Sequence, residues 1–144
     1  MLVHQILKSK GTDGVVTVKP GTRVSQAAEV LSQRRIGTVV VSPDGKHVSG
    51  VLSERDIVRE IGKRGATCMA DLVDDMMTSK IETASMSEDA DGILRRMTEG
   101  RFRHMPVMEN GEMVGLITLG DVVKARLSQL AMEKEALEGM IMGH

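Results

Sequence analysis

Apolar residues recur at helical spacing in two stretches, Val24, Ala27, Ala28 and Leu31, then Ala90, Ile93, Leu94 and Met97. Each set gives an amphipathic helix one face for a core. Thr22 and Ser87 are the expected N-caps, and Glu88 and Asp89 suit the positive end of the second helix. A short extended segment precedes each helix, at Val15–Val18 and Ile81–Thr83, and a β-rich run follows it, TVVVS at 38–42 or MPVME at 105–109. Asp44-Gly45 and Asn110-Gly111 predict hairpin turns into second runs, VSGVLS at 48–53 and MVGLIT at 113–118. Further helices are expected to start near Ser53 and Thr118.

The chain is therefore an internal repeat. Val16–Val58 lies over Ile81–Val123 at an offset of 65 to 66, with Val41 on Val107, Gly45 on Gly111, Gly50 on Gly115, Asp56 on Asp121 and Val58 on Val123. A β-α-β-β-α unit of about 45 residues is too small to bury its own sheet, so two copies are expected to pack sheet to sheet about a pseudo-twofold axis. Lys63–Ala70 reads as a connection and Asp71–Met77 as a short helix. Past Asp121 a long C-terminal helix carries the stripe Val122, Val123, Ala125, Leu127, Leu130, Ala131, Leu137 and Met140, which suits docking on a second subunit. The expected division is 1–65, 66–128 and a helical extension 129–144.

Composition narrows the function. At 144 residues and 15.6 kDa, with 41% hydrophobic and 27% charged residues, the chain has the makeup of a compact globular protein. Nineteen Lys and Arg against 20 Asp and Glu leave a net charge of −1, and Phe102 is the sole aromatic residue. Arg95, Arg96, Arg101 and Arg103 offer a basic stripe, but neither the net charge nor the missing stacking surfaces suit a nucleic-acid binder. The sequence lacks a run long enough for a membrane span, and a single cysteine, Cys68, makes a reducing cytoplasm the expected setting. His4, His47, His104 and His144 show no metal-ligand spacing, and no nucleophile elbow, P-loop or zinc-protease pattern occurs, so no catalytic or metal residues are assigned.

The most informative segments are Gly50–Asp56 (GVLSERD) and Gly115–Asp121 (GLITLGD), one pattern of Gly, two apolar residues, Ser or Thr, and Asp three later. One interpretation is a capping box, in which Ser53 or Thr118 caps a helix and the Asp side chain returns a bond to the cap N–H. The other is a ribose clamp, in which an acid in the first helical turn accepts from vicinal hydroxyls. Both roles are compatible.

Together with RIGTVVV (35–41) and RFRHMPV (101–107), these segments resemble the tandem cystathionine-β-synthase-type (CBS) domain pair, or Bateman module, from Val3 to about Arg126. The resemblance implies an α/β (α+β) fold of two β-α-β-β-α repeats with two related clefts for AMP, ADP, ATP, NAD(H) or S-adenosylmethionine. It implies a sensor rather than an enzyme, with no catalytic cofactor, forming a homodimer and acting on a separate effector protein or through its oligomeric state. By the family pattern, Ser53 with Asp56 and Thr118 with Asp121 hold ribose, Gly37, Thr38, Arg103 and His104 line the clefts, and Val16 and Ile81 flank adenine, with Ile36 and Pro106 completing the set. Arg101, Arg103 and His104 suit phosphate, as does Arg55, whose counterpart is Gly120, so unequal sites are expected. Two rivals remain, a small nucleotide hydrolase using His104 or Asp121, and a ligand-free interaction module in which both boxes are only caps.

Overall fold

The computed structural model describes residues 1–10 and 14–141. In chain order it contains α1 (Val3–Ser9), β1 (Thr17–Val18), α2 (Val24–Arg34), β2 (Thr38–Val41), β3 (Gly50–Ser53) and α3 (Glu54–Arg64). A 3₁₀ turn at Ala66–Ala70 leads to α4 (Val73–Met76), then α5 (Ala90–Gly100), β4 (His104–Glu109), β5 (Glu112–Thr118) and α6 (Leu119–Ile141). The fold is mixed α and β with small sheets and a long last helix. It divides into two compact bodies that exchange segments along the chain. One holds Gly14–Glu82 with Glu109–Val114, and the other holds the chain's start with Thr83–Met108 and Gly115 onward.

In the first body, β1 pairs parallel with β2, and β2 pairs antiparallel with β3, Thr38 opposite Ser53 and Val41 opposite Gly50. Strands β4 and β5 form a hairpin, and the expected strand at Ile81–Thr83 is reduced to a parallel bridge from Ala84 to Val107. Proline explains the loss. In the first body Val40 N–H donates to Val16 O and Ser42 N–H to Val18 O. Met108 N–H donates to Ala84 O in the same way, but Pro106 stands where Val40 does and has no N–H to give.

The repeat is clearest in the two cores. Val18, Val24, Ala27, Leu31, Val39, Val41, Leu52, Ile57, Val73 and Met76 pack together in the first. Their places in the second are taken by Ala84, Ala90, Ile93, Met97, Met105, Val107, Ile117, Val122, Val3 and Ile6. The last two pairs make α1, which the sequence pattern did not reveal, the counterpart of α4. Each lead helix is tied to its neighbour by reciprocal backbone bonds: Val24 N–H to Asp71 O and Val73 N–H to Thr22 O, then Ala90 N–H to Met1 O and Val3 N–H to Glu88 O. These bonds satisfy an amide at each helix start that a side chain would otherwise cap. The helices accordingly start later than expected. Arg23, not Thr22, is the cap residue of α2, and Asp89, not Ser87, caps α5, its carboxylate accepting from Gly92 N–H at 2.8 Å.

Turns differ between the halves. Asn110 and Gly111 both have positive φ, as a two-residue hairpin turn requires. The expected tight turn at Asp44-Gly45 is instead a longer loop between Val41 and Gly50, in which Asp44 accepts from the Lys46 and His47 amides and Ser42 Oγ from Gly45 N–H. Helices α2 and α5 both end on an arginine in the left-handed region, Arg35 and Arg101, and the next amides, Ile36 and Phe102, reach back to Leu31 O and Met97 O.

Candidate functional site

In the first body the chain turns directly from strand into helix at Ser53. Ser53 Oγ accepts from Asp56 N–H at 3.2 Å, and Asp56 Oδ2 accepts from Ser53 N–H at 2.9 Å. This is the reciprocal box expected of the pattern. Asp56 is buried, and its other oxygen takes a hydrogen bond from Arg59 Nη2 at 2.9 Å. Gly37 O accepts from Glu54 N–H at 2.8 Å, which brings the start of β2 against the start of α3. The Glu54 carboxylate lies beside Gly37, 3.4 Å from where a Cβ would stand.

The second body repeats this arrangement. Thr118 Oγ1 accepts from Asp121 N–H at 3.1 Å, and Asp121 Oδ2 accepts from Thr118 N–H at 2.9 Å. Leu119 N–H donates to Arg103 O at 2.8 Å, so Arg103 matches Gly37 and Leu119 matches Glu54. The ion-pair partner changes. Lys10 Nζ, just past α1, lies 2.8 Å from Asp121 Oδ2 and also donates to Leu116 O at 2.8 Å. In the first body the equivalent carbonyl, Val51 O, accepts from Thr78 N–H.

The repeated glycine is thereby explained by packing. A Cβ at Gly50 would stand 2.6 Å from Met77 Sδ and 2.9 Å from Thr78 O, and one at Gly115 would stand 2.8 Å from Leu7 Cδ1. The end of each lead region crosses its strand there, leaving no room for a side chain.

Of the residues singled out from sequence, Gly37, Thr38, Ser53 and Asp56 come together in the first body, and Arg103, Thr118 and Asp121 in the second. His104 follows Arg103 at the start of β4, half-buried. Val16 joins β2 through Val40, Ile36 packs against the first core, Arg55 is exposed, and Pro106 is buried in β4. Ile81 is half-buried and falls in the body that carries Ser53, not the one that carries Thr118. Lys10, Arg59 and Glu54 were not anticipated. Arg59 is one helical turn beyond Asp56 and was legible in principle, whereas Lys10 is remote in sequence from Asp121 and left no local signal. Cys68 is buried in the first core with no disulfide. Among the described residues no group of three His, Cys, Asp or Glu is placed to hold a metal ion, and no helix is long and apolar enough to cross a membrane.

The CBS-domain family model matches residues 7–63 and 73–128, one match for each half of the repeat. The chain belongs to the CBS-domain family. As a CBS pair it is 40% identical to the CBS-domain protein ATU1752 of Agrobacterium tumefaciens, whose crystal structure superposes with a TM-score of 0.82 over 88% of this chain and 99% of that one. It is 30% identical to the mitochondrial CBS-domain protein CBSX3 of Arabidopsis thaliana, over 98% of this chain and 72% of the relative. A crystal structure of CBSX2 in complex with AMP is 27% identical and superposes with a TM-score of 0.69, covering 88% of this chain and 96% of that one. These matches are to CBS-domain proteins and indicate no enzyme family.

Proposed function

We propose that this CBS pair is a regulatory module that binds adenosine-containing ligands, with Ser53 and Asp56 forming one ribose site and Thr118 and Asp121 the other. The observation that carries this reading is the recurrence of one hydroxyl–carboxylate pair at the same strand-to-helix junction in both bodies. The AMP complex of the related CBSX2 supports the ligand class. Capping does not exhaust these side chains. Each hydroxyl accepts one N–H and keeps its own O–H to donate, and each carboxylate has lone pairs beyond those in the box.

The two sites differ in their charged surroundings. Glu54 stands at the first, where the second has Leu119, and Gly37 and Thr38 stand where the second has Arg103 and His104. An anionic ligand is therefore held preferentially at Thr118 and Asp121, with Arg103 facing its phosphate. Val16, Ile36, Ile81 and Pro106 supply apolar surface for the base, and Arg55 adds a second cation to Arg59 at the first site. A ribose at Asp121 competes with Lys10 for the carboxylate, and that at Asp56 with Arg59. Binding then alters contacts at the helix starts, and the output passes to a separate protein or to the oligomeric state.

Thermal unfolding followed by circular dichroism, with AMP, ADP, ATP, NAD⁺, NADH and S-adenosylmethionine in turn, tests the reading. A ligand at about 100 times its Kd adds about 2.7 kcal/mol, a rise of about 8 °C for a chain of this size. That rise is expected for at least one ligand and is expected to shrink in Asp121→Asn. If no ligand raises the melting temperature of nucleotide-free protein, both boxes are only caps and the chain is an interaction module.

A further inference from the structure

The outer face of α6 carries a pattern that neither body uses. Its inner face packs through Val122 and Ala125 into the second core. About a third of a turn away lie Val123, Leu127, Leu130, Lys134, Leu137 and Ile141, at spacings of four, three, four, three and four. That is an a/d heptad seam, with Leu127, Lys134 and Ile141 at a and Val123, Leu130 and Leu137 at d. Its five apolar members are between 39% and 76% exposed.

Charge decides what covers it. A parallel pairing with another copy would set Lys134 against Lys134 in the seam and Glu133 against Glu138 on its flanks, both repulsive. An antiparallel pairing that opposes a to d places Val123 on Ile141, Leu127 on Leu137 and Leu130 on Lys134, so the two lysines are offset and each stem packs on a leucine. The same register brings Lys124 of each copy beside Glu138 of the other, two attractive pairs that outnumber the single like-charge approach of Glu133 to Glu133 at the axis, whereas the parallel pairing has no attractive flank pair. Lys124 is exposed, and Glu138 has only a 3.9 Å contact with Lys134 of its own helix.

We propose that α6 pairs antiparallel with α6 of a second copy of this chain, in the register that opposes Leu127 to Leu137. The seam is about 27 Å long at 1.5 Å per residue, and its twofold axis passes at the height of Met132.

Disulfide trapping tests both the partner and the direction, because the native Cys68 is buried and leaves the wild-type chain as the background control. Leu127→Cys and Leu137→Cys are purified separately and oxidised mildly, alone and mixed. The pairing predicts a crosslinked dimer in the mixture at least tenfold above either variant alone. Equal self-crosslinking of the single variants would establish a parallel seam, and no crosslink in any sample would leave the face unpaired. Either result overturns the proposal. Lys124→Glu, at an exposed position, is expected to cut the mixed crosslink about tenfold, and Lys124→Glu with Glu138→Lys to restore it. A double variant no better than Lys124→Glu would overturn the register.

Discussion

Replacing Gly50 and Gly115 by alanine separates two causes of the same sequence signal. Neither glycine has positive φ, so the cost is steric rather than conformational. At Gly50 the added methyl meets Met77 Sδ at 2.6 Å, Met77 Cγ at 2.8 Å and Thr78 O at 2.9 Å. The thioether can swing away, but Thr78 is held by two backbone bonds to Val51, at 2.9 and 3.0 Å, and moving it breaks that bridge. Overpacking of this kind costs about 2–3 kcal/mol. At Gly115 the three atoms nearest the methyl all belong to the branched end of Leu7, at 2.8, 2.9 and 3.4 Å, on a half-buried side chain that can change rotamer. There the cost is about 1 kcal/mol or less. At about 3–4 °C per kcal/mol, Gly50→Ala lowers the melting temperature by roughly 6–12 °C and Gly115→Ala by under about 4 °C. The chain has neither Trp nor Tyr, so circular dichroism at 222 nm is the assay. Adding Met77→Ala to Gly50→Ala recovers none of the part due to Thr78. Equal losses at both glycines, or a loss under about 0.5 kcal/mol at Gly50, would refute the reasoning.

Three further outcomes follow from particular residues. Arg101→Gly removes an αL side-chain cost of about 1–2 kcal/mol against a glycine entropy cost of about 0.5–1, so its midpoint in urea rises, and Arg35→Gly behaves alike. Lys10→Met breaks a partly exposed ion pair and the bond to Leu116 O, so it costs about 1 kcal/mol, a difference that narrows in about 1 M salt by the ion-pair share. Asp44 is held well below its ordinary value of 3.8, first by the His47 amide, then by the His47 ring and the Lys46 amide. Its depressed value means that its contribution to stability is present above pH 3.8 and fades as pH falls through the folded value. Asp44→Asn is therefore less stable than wild type at pH 6, and the gap narrows in acid unfolding curves below pH 3.8.

Local chemistry made much of this protein legible. The helix faces at Val24–Leu31 and Ala90–Met97, the Asn110-Gly111 turn and both Ser/Thr-x-x-Asp boxes depend on neighbours within a few residues, and sequence spacing encodes them. What depends on distant partners was hidden. Thr22 and Ser87 look like caps, but the Val24 and Ala90 amides at those helix starts donate to Asp71 O and Met1 O instead. The strand at Ile81 fails because of Pro106, visible in the sequence but meaningful only once its parallel neighbour is known. Likewise α1 reads as an unremarkable segment until Val3 and Ile6 are seen in the places that Val73 and Met76 fill in the other core. Lys10 reaches Asp121 only because α1 packs there.

The most direct measurement is a calorimetric titration of AMP into nucleotide-free wild type, Asp56→Asn and Asp121→Asn. Asparagine keeps one oxygen for the box N–H, so Asp121→Asn is expected to unfold within about 1 kcal/mol of wild type, whereas Asp56→Asn also loses the Arg59 bond and is expected to be about 1–3 kcal/mol less stable, still folded at the titration temperature. The account predicts saturable binding to wild type, weakened about 10- to 100-fold by Asp121→Asn, as losing a hydrogen bond to a charged group requires, and changed less by Asp56→Asn. Binding of AMP that is identical in wild type and Asp121→Asn would contradict it.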